Sequence, residues 1–164
     1  MTDASRVFLD KSRSLITSDY VPKIERCLDQ LSADDIWWRP NEASNSIGNL
    51  ILHLCGNVCM WIIGGVGRLP FERHRQMEFA ERRKITAPEL RLRLKHTVEH
   101  ADEVMSAVDS VELLSRRQIQ EYDVTVLEAI YHVVEHFGMH TGQIILLSKA
   151  RVGQDLKLWE PPKF

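Results

Sequence analysis

The sequence has little excess of charge and few cysteines, and each shortage argues against a class of protein. Its 164 residues include 21 basic and 23 acidic side chains, for a formal net charge of -2. Proteins that bind DNA or RNA usually carry a clear basic excess, so nucleic acid is not expected as a partner. The three cysteines are an odd number and lack the spacing of a small disulfide-linked scaffold. A reducing, cytoplasmic location is therefore expected.

Common catalytic and nucleotide-binding motifs are also missing. The chain contains no G-x-x-x-x-G-K-[ST], G-x-G-x-x-G, G-x-S-x-G or H-E-x-x-H sequence. The first residues contain no apolar stretch of signal-peptide length. Two short basic clusters, Arg73–Arg75 and Arg82–Lys84, are interrupted by acidic residues and are interpreted as a solvated loop.

Long hydrophobic runs are scarce as well, and the longest one contains polar residues. Ile47–Val66 is about long enough to cross a bilayer, but it includes Asn49, His53 and Asn57. Polar side chains are costly in hydrocarbon, whereas a helix buried on all sides of a bundle can have the same composition. We therefore expect a core helix and no membrane partner.

Four segments have helical periodicity, and no segment has a convincing strand pattern. They cover about residues 5–31, 45–65, 86–108 and 125–150. Pro22 lies inside the first segment and predicts a kink or break there. The expected fold is all-α, an up-and-down four-helix bundle that forms a single domain over all 164 residues.

Residues at the segment ends support these boundaries. Asn45 or Ser46 can cap the second helix, and Gly64–Gly65 is suited to ending it. The third and fourth helices open with the capping boxes Thr86–Glu89 and Thr125–Glu128.

The connecting segments carry fewer indications of structure. The pair Trp37–Trp38 lies in the loop Ala33–Ser44 and is expected to cover one end of the core. Leu113–Asp123 has no clear period and is expected to be extended. The tail from about residue 151 to 164 is predicted to be irregular and anchored by Trp159.

The histidines of the fourth helix are the first candidate metal ligands. Residues four apart project from nearly the same helix face, so two such imidazoles can chelate one ion. His140 falls inside the apolar stripe of this helix and His136 at its border, while His132 lies further out and is interpreted as an exposed or supporting histidine. His96 and His100 have the same spacing but point away from the apolar stripe of the third helix, as on a solvated face.

The second helix carries a narrow polar seam. Asn49, His53 and Asn57 recur every four residues in a helix that is otherwise almost wholly apolar. Buried polar groups need partners, so the seam is either a hydrogen-bonded part of the core or a functional site. Cys55 and Cys59 lie on nearly the opposite side of the helix and are interpreted as small core residues.

These patterns together resemble the DinB-like metalloenzymes. The matching sequences are D-x-W-W-R-P before the second helix, N-S-I-G-N-L-I-L-H within it, and H-F-G-M-H-T-G-Q-I in the fourth. The resemblance implies that His53, His136 and His140 bind a divalent transition metal on the inner faces of the bundle. Gly142 and Gln143 match the family as well.

Polar residues beside the three histidines are expected to support them. Metal-bound histidines usually donate their second ring N–H to a fixed acceptor. We therefore predict that Asn49, Asn57 and Gln143 support the ligands or line the pocket. The sequence identifies no catalytic residue.

Three nitrogen ligands leave a coordination position for water or substrate, as in catalytic zinc sites. Imidazole suits several metals, and zinc or nickel is expected. The resemblance implies a metal-dependent enzyme that uses a low-molecular-weight thiol for S-transfer to, or isomerisation of, a small-molecule substrate. A metal-dependent hydrolase and a non-catalytic metal- or ligand-binding module remain as alternatives. A homodimer is expected from the resemblance alone.

Overall fold

A computed structural model describes residues 3–159 and shows a predominantly helical protein with a small two-stranded sheet. The first helical stretch contains α1 (Asp3–Ser14), a π-helical segment (Leu15–Tyr20) and α2 (Val21–Leu28). Pro22 lies in the first turn of α2, where a missing N–H does little harm. The predicted irregularity near this proline is therefore present as wide π turns just before it.

A short helix, α3 (Ala33–Trp37), brings the first tryptophan of the predicted aromatic pair against the core. The Trp37 indole N–H donates to the Ile85 carbonyl at 3.0 Å. Its ring lies so close to Gly48 that a β-carbon at that position would collide with it. Trp38 instead stacks beneath the guanidinium group of Arg151, 4.9 Å from the ring centroid. Only Trp37 therefore performs the predicted covering role.

The second long helix consists of α4 (Ile47–Val58) and a π-helical continuation (Cys59–Val66). Ser46 caps it, since its Oγ accepts from the Asn49 N–H at 3.1 Å. Gly64–Gly65 lies inside the last turns, so the helix continues slightly beyond its predicted end. By length and composition this helix could cross a membrane, but 67% of its apolar window is buried inside the protein, as in a core helix.

The segment between the second and third long helices contains a helix that was not predicted, α5 (Arg75–Ala80). The interpretation of the first basic cluster as solvated is wrong for Arg73, whose side chain is only 4% exposed and is paired with Glu78. Arginine is buried only when an acidic group pairs with it, and the residues adjacent to Arg73 in the sequence do not show that Glu78 is its partner. The third long helix, α6 (Ala87–Ser106), begins after Thr86 as predicted.

Strands β1 (Arg116–Ile119) and β2 (Tyr122–Thr125) pair antiparallel in the segment expected to be extended. This sheet corrects the expectation of an entirely helical chain. Ile119 packs against Gly65 at the end of the second long helix. The second strand runs directly into α7 (Val126–Val152), whose capping box is formed by Thr125 and Glu128 as predicted.

The tail that follows α7 has no regular structure over residues 153–159. Its buried anchor is Leu156, which is 3% exposed, and the prediction of Trp159 is wrong because that side chain is 60% exposed. Trp159 instead lies beside the ammonium groups of Lys23 and Lys149 at the surface. Residues 160–164 of the predicted tail lie outside the described part of the chain.

The core lies between the long helices, with α4 packed against α5, α6 and α7 and with α2 packed against α7. Its largest fully buried side chains include Phe137, Ile62, Leu94, Met105 and Ile130. Because α4 lies beside α7, residues on their facing sides meet inside the protein. This placement positions the histidines described next.

Candidate metal centre

Three histidines from two helices converge in the interior. His53 comes from α4, and His136 and His140 come from successive turns of α7. One ring nitrogen of each lies within 4.8 Å of the other two. The Nε2 atoms of His53 and His136 are 2.9 Å apart. Within residues 3–159 this is the only group of three or more histidine, cysteine or acidic side chains arranged to hold a metal ion.

The ring of His140 has one nitrogen anchored and one nitrogen without a partner. Its Nδ1–H donates to Gln143 Oε1 at 2.7 Å, since an amide oxygen can only accept. Its Nε2 is buried and forms no hydrogen bond. A buried nitrogen lone pair without a partner is unfavourable, and an electrophilic ion would satisfy it. Gln143 therefore contacts one of the three histidines, and its support of a metal ligand stays a prediction.

The ring of His53 is anchored in the same way, by a residue that was not predicted. Its Nδ1 lies 2.9 Å from Glu78 Oε2. A carboxylate accepts and does not donate, so a proton on Nδ1 satisfies this contact and leaves the Nε2 lone pair facing the cluster. Arg73 Nη2, which only donates, also lies 3.1 Å from His53 Nδ1, but its shorter contact, at 2.8 Å, is with Glu78 Oε2. Arg73 donates to both oxygens of Glu78, at 2.7 and 2.8 Å.

The electrostatics favour the neutral forms of His136 and His140 and the ionised form of Glu78. Burial, reinforced by the neighbouring His140 and His53, lowers the pKa of His136 to about 3. Burial also lowers the pKa of His140. Burial alone would raise the pKa of Glu78, but hydrogen bonds from Arg73 and His53 outweigh it and lower that pKa. Metal ligation requires neutral imidazoles, and the lowered pKa values of His136 and His140 favour that form at neutral pH.

The cluster therefore fits a divalent ion. Nitrogens bound to one ion at about 2.1 Å lie roughly 3.0–3.4 Å apart, so small side-chain movements would close the observed cluster around it. The donors are imidazoles, which suit zinc, nickel, iron and copper. The three-histidine group can thus hold a metal ion, while the identity of the ion stays a prediction.

The two asparagines of the polar seam have different surroundings. The Asn49 side chain contacts none of the three histidines, and its amide donates to the carbonyls of Glu78 and Glu81 at 2.9 and 3.1 Å. The Asn57 amide lies 3.3 Å from His132 Nε2, and its Oδ1 is buried without a partner. Asn49 therefore ties α5 to α4, and Asn57 lies beside the pocket.

An open pocket of about 750 Å³ adjoins the cluster. His53 and His136 form part of its wall, and cationic and aromatic groups surround them. The remaining lining residues are Asn57, Trp61, Arg73, Arg75, Gln120, Glu121, Tyr122, Val124, Glu128 and His132. His132, interpreted from sequence as exposed or supporting, is half-buried here with its ring centroid 4.2 Å from that of Trp61.

The remaining histidines and cysteines lie elsewhere. His74, His96 and His100 are exposed, as on a solvated face. Cys55 and Cys59 face Thr97 of α6, away from the cluster. Burial raises the pKa of Cys55 to about 12, so its thiol stays protonated at neutral pH.

Sequence reasoning missed Glu78 and Arg73. Both belong to the segment around α5, which is too short to show periodicity. One indication was available, because Gly56 lies in the middle of the helix that carries His53. A glycine inside a helix lowers its stability, and it often marks the close approach of another group.

Comparison with known proteins agrees with the fold and leaves the function open. Residues 3–163 match the family described as "Protein of unknown function (DUF1572)", and the chain belongs to this family. A conserved protein of Enterococcus faecalis, solved by crystallography, has a similar fold with a TM-score of 0.68. The similarity covers 94% of this chain and 98% of that one at 17% sequence identity, so it concerns the fold alone. No curated protein matches the chain.

Proposed function

We propose that this protein is a divalent-metal-binding protein of the DinB-like type and that His53, His136 and His140 hold the ion. The observation that carries the proposal is the surroundings of two of the three rings. His53 and His140 each have Nδ1 fixed by an acceptor, and the buried Nε2 of His140 has no partner. Such outward anchoring of the second ring nitrogen is typical of metal-bound histidine.

The architecture supports the DinB-like assignment. The chain is predominantly helical with four long helical stretches, which is compatible with a four-helix bundle, and the candidate ligands project from two helices that pack against each other, as in metal sites built within bundles. The first of the three motifs that resemble the DinB-like proteins covers the end of α3 and the loop after it. The second covers the cap and first turns of α4, and the third lies in α7.

The charge of the centre favours an anionic ligand. Imidazole bound through a nitrogen lone pair adds no charge, and the charges of Glu78 and Arg73 cancel, so an ion held here would keep its full double positive charge. Such an ion lowers the pKa of a bound thiol or water and so supplies a nucleophile at neutral pH. We propose that the physiological ligand is the thiol of a low-molecular-weight cofactor, used for S-transfer to, or isomerisation of, a small molecule.

The pocket is suited to such a substrate. Arg75 contributes positive charge on one side, and Trp61 and Tyr122 form an aromatic wall with their ring centroids 5.9 Å apart. Asn57 and His132 add hydrogen-bonding groups beside the histidines. Cys55 and Cys59, which lie on the same helix as His53, are not thiol donors for this site, because they face α6.

Metal analysis tests the first part of the proposal. The purified protein, stripped with a chelator and reloaded with zinc or nickel, should bind one ion per chain. His53→Ala, His136→Ala and His140→Ala should each abolish stoichiometric binding, since each removes one of three ligands. His96→Ala and His132→Ala serve as controls and should retain it. A loss at His132 equal to that at His136 would show that the wrong pair on α7 had been chosen.

A thiol titration tests the second part. Binding of a thiol to the cobalt-loaded protein should produce a sulfur-to-metal charge-transfer band that is absent from His140→Ala. Turnover assays with thiols and electrophilic small molecules then separate the functions. Turnover that does not depend on thiol would indicate a hydrolase, and binding without turnover would indicate a non-catalytic module.

A further inference from the structure

We propose that Glu78 is a positioning residue of the metal centre and that the segment around α5 serves to place its carboxylate against His53. The inference rests on the proposed function, since it assigns a role toward the ion held by His53. In this role Glu78 keeps the His53 proton on Nδ1, so that Nε2 presents its lone pair to the ion. Carboxylate–histidine–metal arrangements of this kind strengthen metal binding.

The position of Glu78 is the first step of the argument. Its Oε2 lies 2.9 Å from His53 Nδ1, and its side chain is 12% exposed. The ring of Phe79, the next residue, lies 4.5 Å from the His53 ring, centroid to centroid. The outward side of His53 is therefore covered by two consecutive residues of α5.

The anchoring of α5 is the second step. None of the residues of this helix is fully buried, so the hydrophobic effect alone does not account for its position. Polar contacts hold it instead. The Asn49 amide donates to the carbonyls of Glu78 and Glu81, and Asn49 lies one helical turn before His53. The residue that fixes α5 and the residue that α5 supports therefore share one face of α4.

The third step is the space made for the carboxylate. A β-carbon at Gly56 would overlap Oε1 of Glu78 and lie 2.7 Å from its Cδ. Glycine thus occurs in the interior of α4 at the place where the carboxylate rests. Glycine destabilises a helix interior, and this close approach explains why it nevertheless occurs at this position.

A purely structural ion pair with Arg73 is the competing explanation. Arg73 does donate to both oxygens of Glu78. A buried ion pair is weak grounds for stability by itself, because desolvation offsets much of the attraction. The pair alone also does not require a carboxylate oxygen to lie at His53 Nδ1. The two explanations differ in whether metal affinity depends on Glu78.

The first test is the zinc affinity of Glu78→Gln, measured by competition with a chromophoric chelator. Glutamine keeps the size of the side chain but loses the negative charge that strengthens the contact with His53, and its NH₂ group would replace an oxygen that accepts from Arg73. We expect zinc to bind about 10- to 100-fold more weakly than in the unaltered protein. Glu135→Gln, which removes an exposed carboxylate next to His136, is the matched control and should change the affinity less than about twofold.

Metal-free protein labelled with ¹⁵N-histidine gives a readout that a structural role would not change. His53 should be protonated on Nδ1 in the unaltered protein and should lose this preference in Glu78→Gln. An unchanged tautomer together with unchanged zinc affinity would overturn the proposal. Absence of zinc binding by the unaltered protein would instead refute the proposed function, which is a distinguishable outcome.

Gly56→Ala keeps the test decisive if Glu78→Gln unfolds. This change retains every charge and displaces the carboxylate through a collision, so zinc affinity should fall. Gly142→Ala is its matched control, because a β-carbon there meets nothing within 4 Å. Equal zinc affinity in the two alanine variants, with both folded by circular dichroism, would also overturn the proposal.

Discussion

Replacement of Arg73 by methionine should destabilise the metal-free protein strongly. Methionine has a similar length, so the main loss is the charge and the two hydrogen bonds to Glu78. The two side chains are 4% and 12% exposed, so the carboxylate would remain in the interior without its cation. An unpaired buried charge is among the few causes of large destabilisation by a single substitution.

The expected magnitude follows from this burial. Removing one partner of a buried ion pair costs about 3–5 kcal/mol. Because Glu78 retains its contact with His53, we expect a loss near the lower end, about 3 kcal/mol. Arg93→Met is the matched control. The Arg93–Glu89 pair is also close, at 2.9 Å, but its side chains are 50% and 49% exposed. Such pairs contribute about 0.3–0.5 kcal/mol.

Urea unfolding in the presence of a chelator measures these losses. The double variant Arg73→Met/Glu78→Met should be clearly more stable than the sum of the single losses implies, because it leaves no isolated charge. If Arg73→Met loses no more stability than Arg93→Met, the reasoning about the buried pair is wrong.

Two further predictions concern acid and the tail. The pKa of His136 is lowered to about 3 in the folded protein, against an ordinary value of 6.5, so the unfolded chain binds the proton more readily between these values. The metal-free protein should therefore lose stability as the pH falls through this window, by at most about 1.4 kcal/mol per pH unit from this residue. His136→Gln should have a shallower dependence in urea unfolding at pH 7 and pH 5, and an equal slope would contradict the assignment. Leu156→Ala should cost about 2–5 kcal/mol because the side chain is buried, whereas Trp159→Ala, at an exposed site, should cost under about 1 kcal/mol. Similar thermal midpoints for the two variants would contradict the assignment of Leu156 as the anchor.

The sequence by itself determined most of the helical framework. Capping residues such as Ser46, Thr86 and Thr125 mark helix starts through local hydrogen bonds, which depend on neighbours in the chain and so can be predicted from it. The pairing of His136 with His140 is equally local, since it follows from the period of the helix. The polar seam of α4 drew attention to His53 for the same reason.

The tertiary structure decided which polar groups meet. Only the packing of α4 against α7 brings His53 to the other two histidines, and only the fold of the chain around α5 places Glu78 on His53 and buries Arg73. The contacts of His53 join it to residues from 20 to 87 positions away in the chain. Local propensity and periodicity carry no information over such separations, because the contacts depend on long-range packing and on the match of charges in the interior.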